Sequence, residues 1–229
     1  MYFCHSPEIW RDFPELVPGV LMARGISIGD VASQTARFSA VAATRLEGRS
    51  EGELPEIQAW RRAFSKMGLK PTQCRCASES LMRRFRKEKV LPQIHPLIDL
   101  CNSISLAFAI PIAVFDISRI SDYLQVRYAN GSEVYSTLSG KLEHPEPGEV
   151  IFADSEGKAH ARRWTNRQSG YSAVRGETSY ALIAAEATHS SAQTDIGKLV
   201  AVVADELRAI WSVDSKTAIL NKCSPRFEF

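Results

Sequence analysis

The sequence is poor in the features that would place it outright in several protein classes. No stretch approaches the ~18 consecutive apolar residues that a membrane-spanning helix requires. The opening "MYFCHSPEIW" carries a Glu and early aromatics. It lacks the basic segment and apolar run of a secretory leader. Cysteine is scarce and odd in number, with Cys4, Cys74, Cys76, Cys101 and Cys223. Without a pairing framework, these read as reduced thiols in a cytoplasmic protein. Cys74 and Cys76 form C-x-C, and no second pair or nearby His completes a zinc set, so no metal is expected. No cofactor is expected either. Excess charge is also missing: 28 Lys and Arg stand against 26 Asp and Glu, a net +2. That balance argues neither for nor against nucleic acid, and only the placement of charge can decide. Internal repeats and low-complexity segments are absent.

What is present is an ordinary globular composition, 45% hydrophobic and 24% charged over 229 residues. One domain over 1–229 is expected, with an N-terminal α/β part over 1–54 and a polar, loosely held tail over 213–229. "EIWRDFPELVPGVLMARGI" reads as a short helix or turn, then a strand from Gly19 to Ile26. Gly48 is a candidate stop for a helix before it. In "ELPEIQAWRRAFSKMGL", Ile57, Trp60, Phe64 and Met67 are spaced as one apolar helix face, which Gly68 and Pro71 end. A second helix begins near Ser78 and ends in "RRFRKEK", five basic residues against one Glu. That end is either a solvated helix terminus suited to the dipole or part of a phosphate-contacting patch. "HPLIDLCNSISLAFAI" is a third helix.

After residue 110 the period changes from helix to strand. "IPIAVFDI" reads as a buried strand and "DYLQVRYA" as an alternating one. Asn130-Gly131 signals a hairpin, with "SEVYSTL" returning. A strand follows at Val150–Ala153, then a turn over 154–157, "KAHARRW", and the long apolar strand "TSYALIAAEA". Residues 196–212 are the best helix in the chain, apolar on one side, and should pack on the sheet.

The stretch "RRWTNRQSG", residues 162–170, is richer than a turn needs to be. Arginine forks bind phosphates and carboxylates, a Trp can stack on a base, and Asn and Gln can read polar edges. Two readings are open: a ligand-binding mouth, or a surface turn with Trp164 in the core and its arginines snorkelling.

"HPLIDLCNSISLAFAIPIAVFDISRI", "VRYANGSEVYSTL", "PEPGEVIFAD" and "RRWTNRQS", in this order and spacing, resemble the B3/B4 domain of the phenylalanyl-tRNA synthetase beta chain. They are closer still to free-standing proteins built from that domain. The resemblance covers roughly residues 55–190. It implies an α+β fold of mixed sheet layers with packed helices. It also implies a tRNA-linked role, because the synthetase domain hydrolyses tyrosine mistakenly joined to phenylalanine tRNA. The family's essential strand Glu matches Glu186. There it helps recognise the tyrosyl hydroxyl, while a strand-end Glu can also be a plain exposed residue. Ala113 stands where the family strand has His, and the family's Thr-Asp-Ala stretch after the Glu is missing.

The implied function is a trans-editing aminoacyl-tRNA deacylase, acting most naturally on tyrosine or a related aromatic amino acid carried by phenylalanine tRNA. The alternative is a non-catalytic module that binds tRNA or an aromatic amino acid. The expected partners are the aminoacylated 3′ end of tRNA and the aromatic amino acid, with no membrane. Arg163, Trp164, Asn166, Arg167, Gln168 and Ser169 are expected to line the mouth of the pocket. Glu186, Asn102 and Asp116, with Asp99 nearby, would shape it, or serve as local helix and turn hydrogen-bonders. No catalytic side chain is assigned. His95, His144, His160 and His189 accompany no nucleophile motif such as G-x-S-x-G, so a positioned water is expected to attack the activated ester.

Overall fold

The computed structural model describes residues 1–229. The chain opens with β1 (Tyr2–His5), α1 (Pro7–Asp12), β2 (Val17–Arg24) and α2 (Ala32–Arg45). Three helices follow, α3 (Pro55–Lys66), α4 (Ala77–Glu88) and α5 (Pro96–Phe108). Then come β3 (Ile112–Asp116), β4 (Tyr123–Tyr128), β5 (Val134–Ser136), β6 (Leu142–Glu143), β7 (Val150–Ala153), β8 (Lys158–Arg162), β9 (Arg167–Gln168) and β10 (Tyr180–Ala187). The chain closes with α6 (Ala192–Trp211), β11 (Lys216–Ile219) and β12 (Arg226–Glu228).

These strands form two sheets. The larger runs β12-β1-β4-β7-β8-β5-β6, with β9 attached to β8, and mixes parallel and antiparallel pairs. The smaller, β11-β2-β10-β3, is antiparallel throughout. Its central strand β10 is buried on both faces, which explains an apolar run without polar alternation. Ala181, Ile183, Ala185 and Ala187 face a core made with α2, α5 and α6. Leu182 and Ala184, with Phe115 of β3, face a second core, shared with α1, α3, α4 and the larger sheet through Phe3, Phe152 and Val126. The two-residue period of a strand therefore directs Glu186 into the space between the sheets.

Helix periodicity is realised closely. Pro55 opens α3 at a position where its missing N–H costs nothing, and Ile57, Trp60 and Phe64 are buried. In α5 the amide of Leu97 donates to His95 Nδ1 (3.2 Å), so His95 caps the helix. α6 packs on β2 and β10, with Gly19 as the point of contact. A Cβ there would lie 2.6 Å from Val200 Cγ2 and 2.7 Å from Ile196 Cγ2.

Two expectations are corrected, and one strand had not been foreseen. Asn130-Gly131 does not join a hairpin: β4 pairs with β7, while β5 pairs with β6 and β8. The buried carboxylate of Glu133 closes that loop instead. It accepts from the amides of Asn130 and Gly131 and pairs with Arg127. Residues 213–229 are not a loose tail, because β11 adds to one sheet and β12 to the other. The first five residues hold a strand, β1, that local pattern did not show. It lies between β12 and β4 in the larger sheet.

Gly19→Ala should cost roughly 1–3 kcal/mol through overpacking, read from urea denaturation. Thiol labelling should find one fast-reacting cysteine, the exposed Cys223. Burial pushes the Cys101 thiol up to about 12 and the Cys76 thiol to about 11, so both stay protonated and unreactive in the native state.

Candidate functional site: a buried carboxylate at the wall of a small cavity

Glu186 is 1% exposed, and both of its carboxylate oxygens are engaged. His5 Nε2, from the end of β1, lies 2.5 Å from Oε1. Trp164 Nε1 donates to Oε2 at 3.0 Å. Trp60 Nε1, from α3, donates to the Glu186 backbone carbonyl at 3.3 Å. A buried carboxylate is costly unless paired and hydrogen-bonded, and this one is both. The imidazole uses Nε2 for the carboxylate, and its Nδ1 is buried without a partner.

The indole of Trp164 reaches Glu186 because the backbone turns sharply after β8. Arg163 and Trp164 have φ of +48° and +57°, two successive left-handed residues that are not glycine. Such conformations cost of order 1–3 kcal/mol each and persist where the surroundings hold them. Here the Trp164 amide donates to the Val150 carbonyl at 2.7 Å. Its ring packs edge-on against Phe13 and Trp60, at 4.8 and 5.1 Å between centroids.

Glu186 and Trp164 wall a cavity of about 60 Å³ that opens between the sheets. The apolar lining is Pro111, Ile112, Ala113, Phe152, Ala161 and Ala184, with Ala77 from the start of α4. The polar lining is Thr165, Asn166, Arg167 and Gln168. Three small residues, Ala113, Ala161 and Ala184, leave the space that larger side chains would fill. Asn166 Nδ2 donates to the Arg75 carbonyl at 2.7 Å, and Gln168 Nε2 donates to the Val114 carbonyl at 2.5 Å. Both rim side chains are therefore positioned by backbone. Thr165 Oγ1 is buried with no partner, so it is a hydroxyl at the cavity with unused bonding capacity.

The expected site residues divide. Glu186, Trp164, Asn166, Arg167 and Gln168 meet at the cavity. Trp164 is fully buried, so it is a wall with its N–H committed to Glu186, and no base can stack on it at the mouth. Arg163 does not line the cavity. Its amide donates to Glu149 Oε1 at 3.0 Å, and its guanidinium lies beside Cys74. Ser169 is buried away from the cavity and donates to the Ser136 carbonyl at 2.8 Å. Asp116 accepts from Ser118 and Thr178 and serves the turn after β3. Asn102 sits on α5, outside the lining, and Asp99 caps the same helix by accepting from the Ile94 amide at 2.8 Å. Arg162 forms a bidentate pair with Glu149 and also reaches Glu143, which pairs with Arg167 too. Two of the three arginines of the loop, Arg162 and Arg167, are thus paired with carboxylates within the fold.

Local reading missed His5 and Thr165. His5 lies 181 positions from its carboxylate partner, and no local signal marks it. Thr165 was recoverable, since it sits inside the segment already singled out.

Two further clusters have structural accounts. Ser172 Oγ, His160 and Asp154 form a chain with links of 2.8 and 3.1 Å, which matches the spacing of a hydrolytic triad. All three residues are at most 1% exposed, so no substrate reaches the hydroxyl. Burial alone would push the Asp154 carboxyl up. The bonds from His160 and from the amides of the turn outweigh it and hold the group below its ordinary value. Glu56, His189 and Asp195 offer ligand atoms within 4.8 Å of one another. Arg45 and Ser191 already engage the two carboxylates, and acidic residues in the first turns of α3 and α6 suit the helix dipoles.

The model of the B3/4 domain family matches residues 59–201, well over half of the chain. The chain belongs to the B3/4 domain family. A phenylalanine–tRNA ligase beta subunit of Cereibacter sphaeroides is 31% identical over 74 residues, which covers 32% of this chain and 9% of that subunit. The B3/4 chain thus spans a small part of the relative it matches. An N-terminal fragment of the phenylalanyl-tRNA synthetase beta subunit from Pyrococcus horikoshii aligns with 96% of this chain and 54% of its own length. The identity is 10% and the TM-score 0.47. In this B3/4 domain the mixed α+β fold places β10 inside the smaller sheet, with Glu186 near the end of that strand.

Glu186→Ala strips the acceptor from two buried donors and should cost about 3–5 kcal/mol of stability. Glu186→Gln keeps an acceptor for Trp164 and should cost less than half as much. Guanidinium denaturation of both variants checks the ratio.

Proposed function

We propose that the chain is an editing module that hydrolyses the ester between a hydroxyl-bearing amino acid and the 3′ end of a tRNA. The observation that carries this reading is Glu186 at the cavity wall. A carboxylate offers about four acceptor positions. Two hold His5 and Trp164, which leaves capacity for a hydroxyl entering from the cavity. A hydrogen bond to a charged acceptor contributes about 1.5–3 kcal/mol, or one to two orders of magnitude over the same side chain without the hydroxyl. Membership of the B3/4 domain family and the match to a phenylalanine–tRNA ligase beta subunit support the tRNA part of the reading.

Tyrosine on phenylalanine tRNA, or a related aromatic amino acid, is the substrate implied by the resemblance. The cavity, about 60 Å³, has room for ordered water and small polar groups. No His, Cys, Ser, Lys or Asp lines the cavity. The ester is activated already, so a water held by Thr165 Oγ1 and the substrate's own ribose hydroxyl suffices for attack. A second reading, a module that binds without cleaving, is favoured by Ala113, which lines the cavity where the family strand has His.

Purified protein mixed with tyrosyl-, seryl- and phenylalanyl-tRNA should accelerate ester loss over buffer for the hydroxyl-bearing substrates. Glu186→Gln should reduce the preference for tyrosyl over phenylalanyl ester by about tenfold, and Thr165→Val should slow hydrolysis with binding retained. Binding without any acceleration establishes the second reading. Absence of both binding and hydrolysis for every ester overturns both readings.

A further inference from the structure

α4 begins at the cavity and ends among cations. Ala77, its first residue, lines the cavity, and its amide donates to the Thr165 carbonyl at 2.8 Å. With a rise of ~1.5 Å per residue, Arg84 and Lys87 lie about 10 and 15 Å along the helix from that wall. Arg83, Arg84, Arg86, Lys87 and Glu88 line an open concavity of about 440 Å³, and exposed Lys89 follows them.

Two of these arginines are held in place from beneath. Glu51 is 2% exposed and lies 3.0 Å from Arg83 Nη1 and 3.2 Å from Arg86 Nη1. Arg83 makes an aligned hydrogen bond to Oε1, while Arg86 is held at Oε2 by charge alone. One buried carboxylate thus positions two guanidiniums whose side chains are nearly half exposed. Arg84 pairs with Glu88 at 2.8 Å. Five cations therefore stand against two carboxylates, one of them beneath the surface. A favourable dipole explains basic residues in a last turn, but not a concave set anchored on a buried acid. The rim of the cavity offers no comparable charge, because Glu143 and Glu149 neutralise Arg162 and Arg167.

We propose that this face of α4 takes the phosphate backbone of the RNA strand whose 3′ end enters the Glu186 cavity. The inference rests on the tRNA reading given above. A stacked strand advances ~3.4 Å per nucleotide, so 10–15 Å corresponds to about three or four nucleotides. An amino acid seated in the cavity then sets the phosphates of the preceding nucleotides over Arg83, Arg84, Arg86 and Lys87. Arginine forks bind phosphate through two parallel hydrogen bonds, and guanidiniums already oriented lose little freedom in doing so.

The test is a double variant, Arg84→Ala with Lys87→Ala, at two exposed positions, with its fold checked by circular dichroism and urea midpoint. Binding of a deacylated tRNA transcript is measured from 50 to 200 mM salt, and free tyrosine is titrated separately. The expected result is at least a tenfold loss of tRNA affinity at low salt and a salt slope flatter by about two. Unchanged affinity and slope overturn the α4 surface and leave the cavity reading standing. Failure of the wild-type chain to bind tRNA at all overturns the surface as well, and the tyrosine titration then shows whether the cavity retains a ligand.

Discussion

The carboxylate of Glu186 is the constraint around which this B3/4 domain is arranged. It is buried between two sheets, where an unpartnered charge would cost several kcal/mol. Its hydrogen-bond partners come from distant parts of the chain: His5 from the first strand, Trp164 from a strained turn, and Trp60 against its backbone. A fold built for stability alone gains little from a buried carboxylate and its partners, since well-packed apolar residues of similar volume often serve as well. The same carboxylate forms part of the wall of a cavity.

The strain in the turn at Arg163 and Trp164 belongs to the same device. Two successive left-handed residues bring the indole inward, and the indole then fixes the carboxylate. The ion pairs of Arg162 and Arg167 with Glu143 and Glu149 hold the flanks of this turn. Charges that look like ligand-binding groups in the sequence are therefore partly spent on positioning the loop. A cluster with more cations than carboxylates lies elsewhere, on α4, whose first residue touches the cavity and whose last turn faces solvent.

Most of the helices and β10 were legible in the sequence because their signals are local. Ile57, Trp60 and Phe64 repeat at the helical period, Gly68 and Pro71 stop the helix, and "TSYALIAAEA" reads as a strand with a long apolar run. The family resemblance, carried by motifs in order, pointed to Glu186 and to the loop at 162–170. Asn130-Gly131 misled because hairpin preference is a statement about two residues. The Glu133 carboxylate, three positions on, closes that loop differently. β11 and β12 escaped notice because short polar strands take their stability from the edge they join.

The sequence by itself determined which segments form most of the helices and the central strand, and which acidic residue sits in an apolar run. Neighbours a few residues apart decide those features. Only the tertiary structure decided which groups meet that acid. His5 joins it across 181 positions and Trp164 across 22, and nothing in a strand period or a capping signal encodes such a meeting. The folded packing also separated Arg163, Ser169, Asn102 and Asp116 from the cavity and set Thr165 at its wall. Side-chain direction at a site is fixed by the cost of leaving charges and hydrogen-bond donors unpaired in the whole fold.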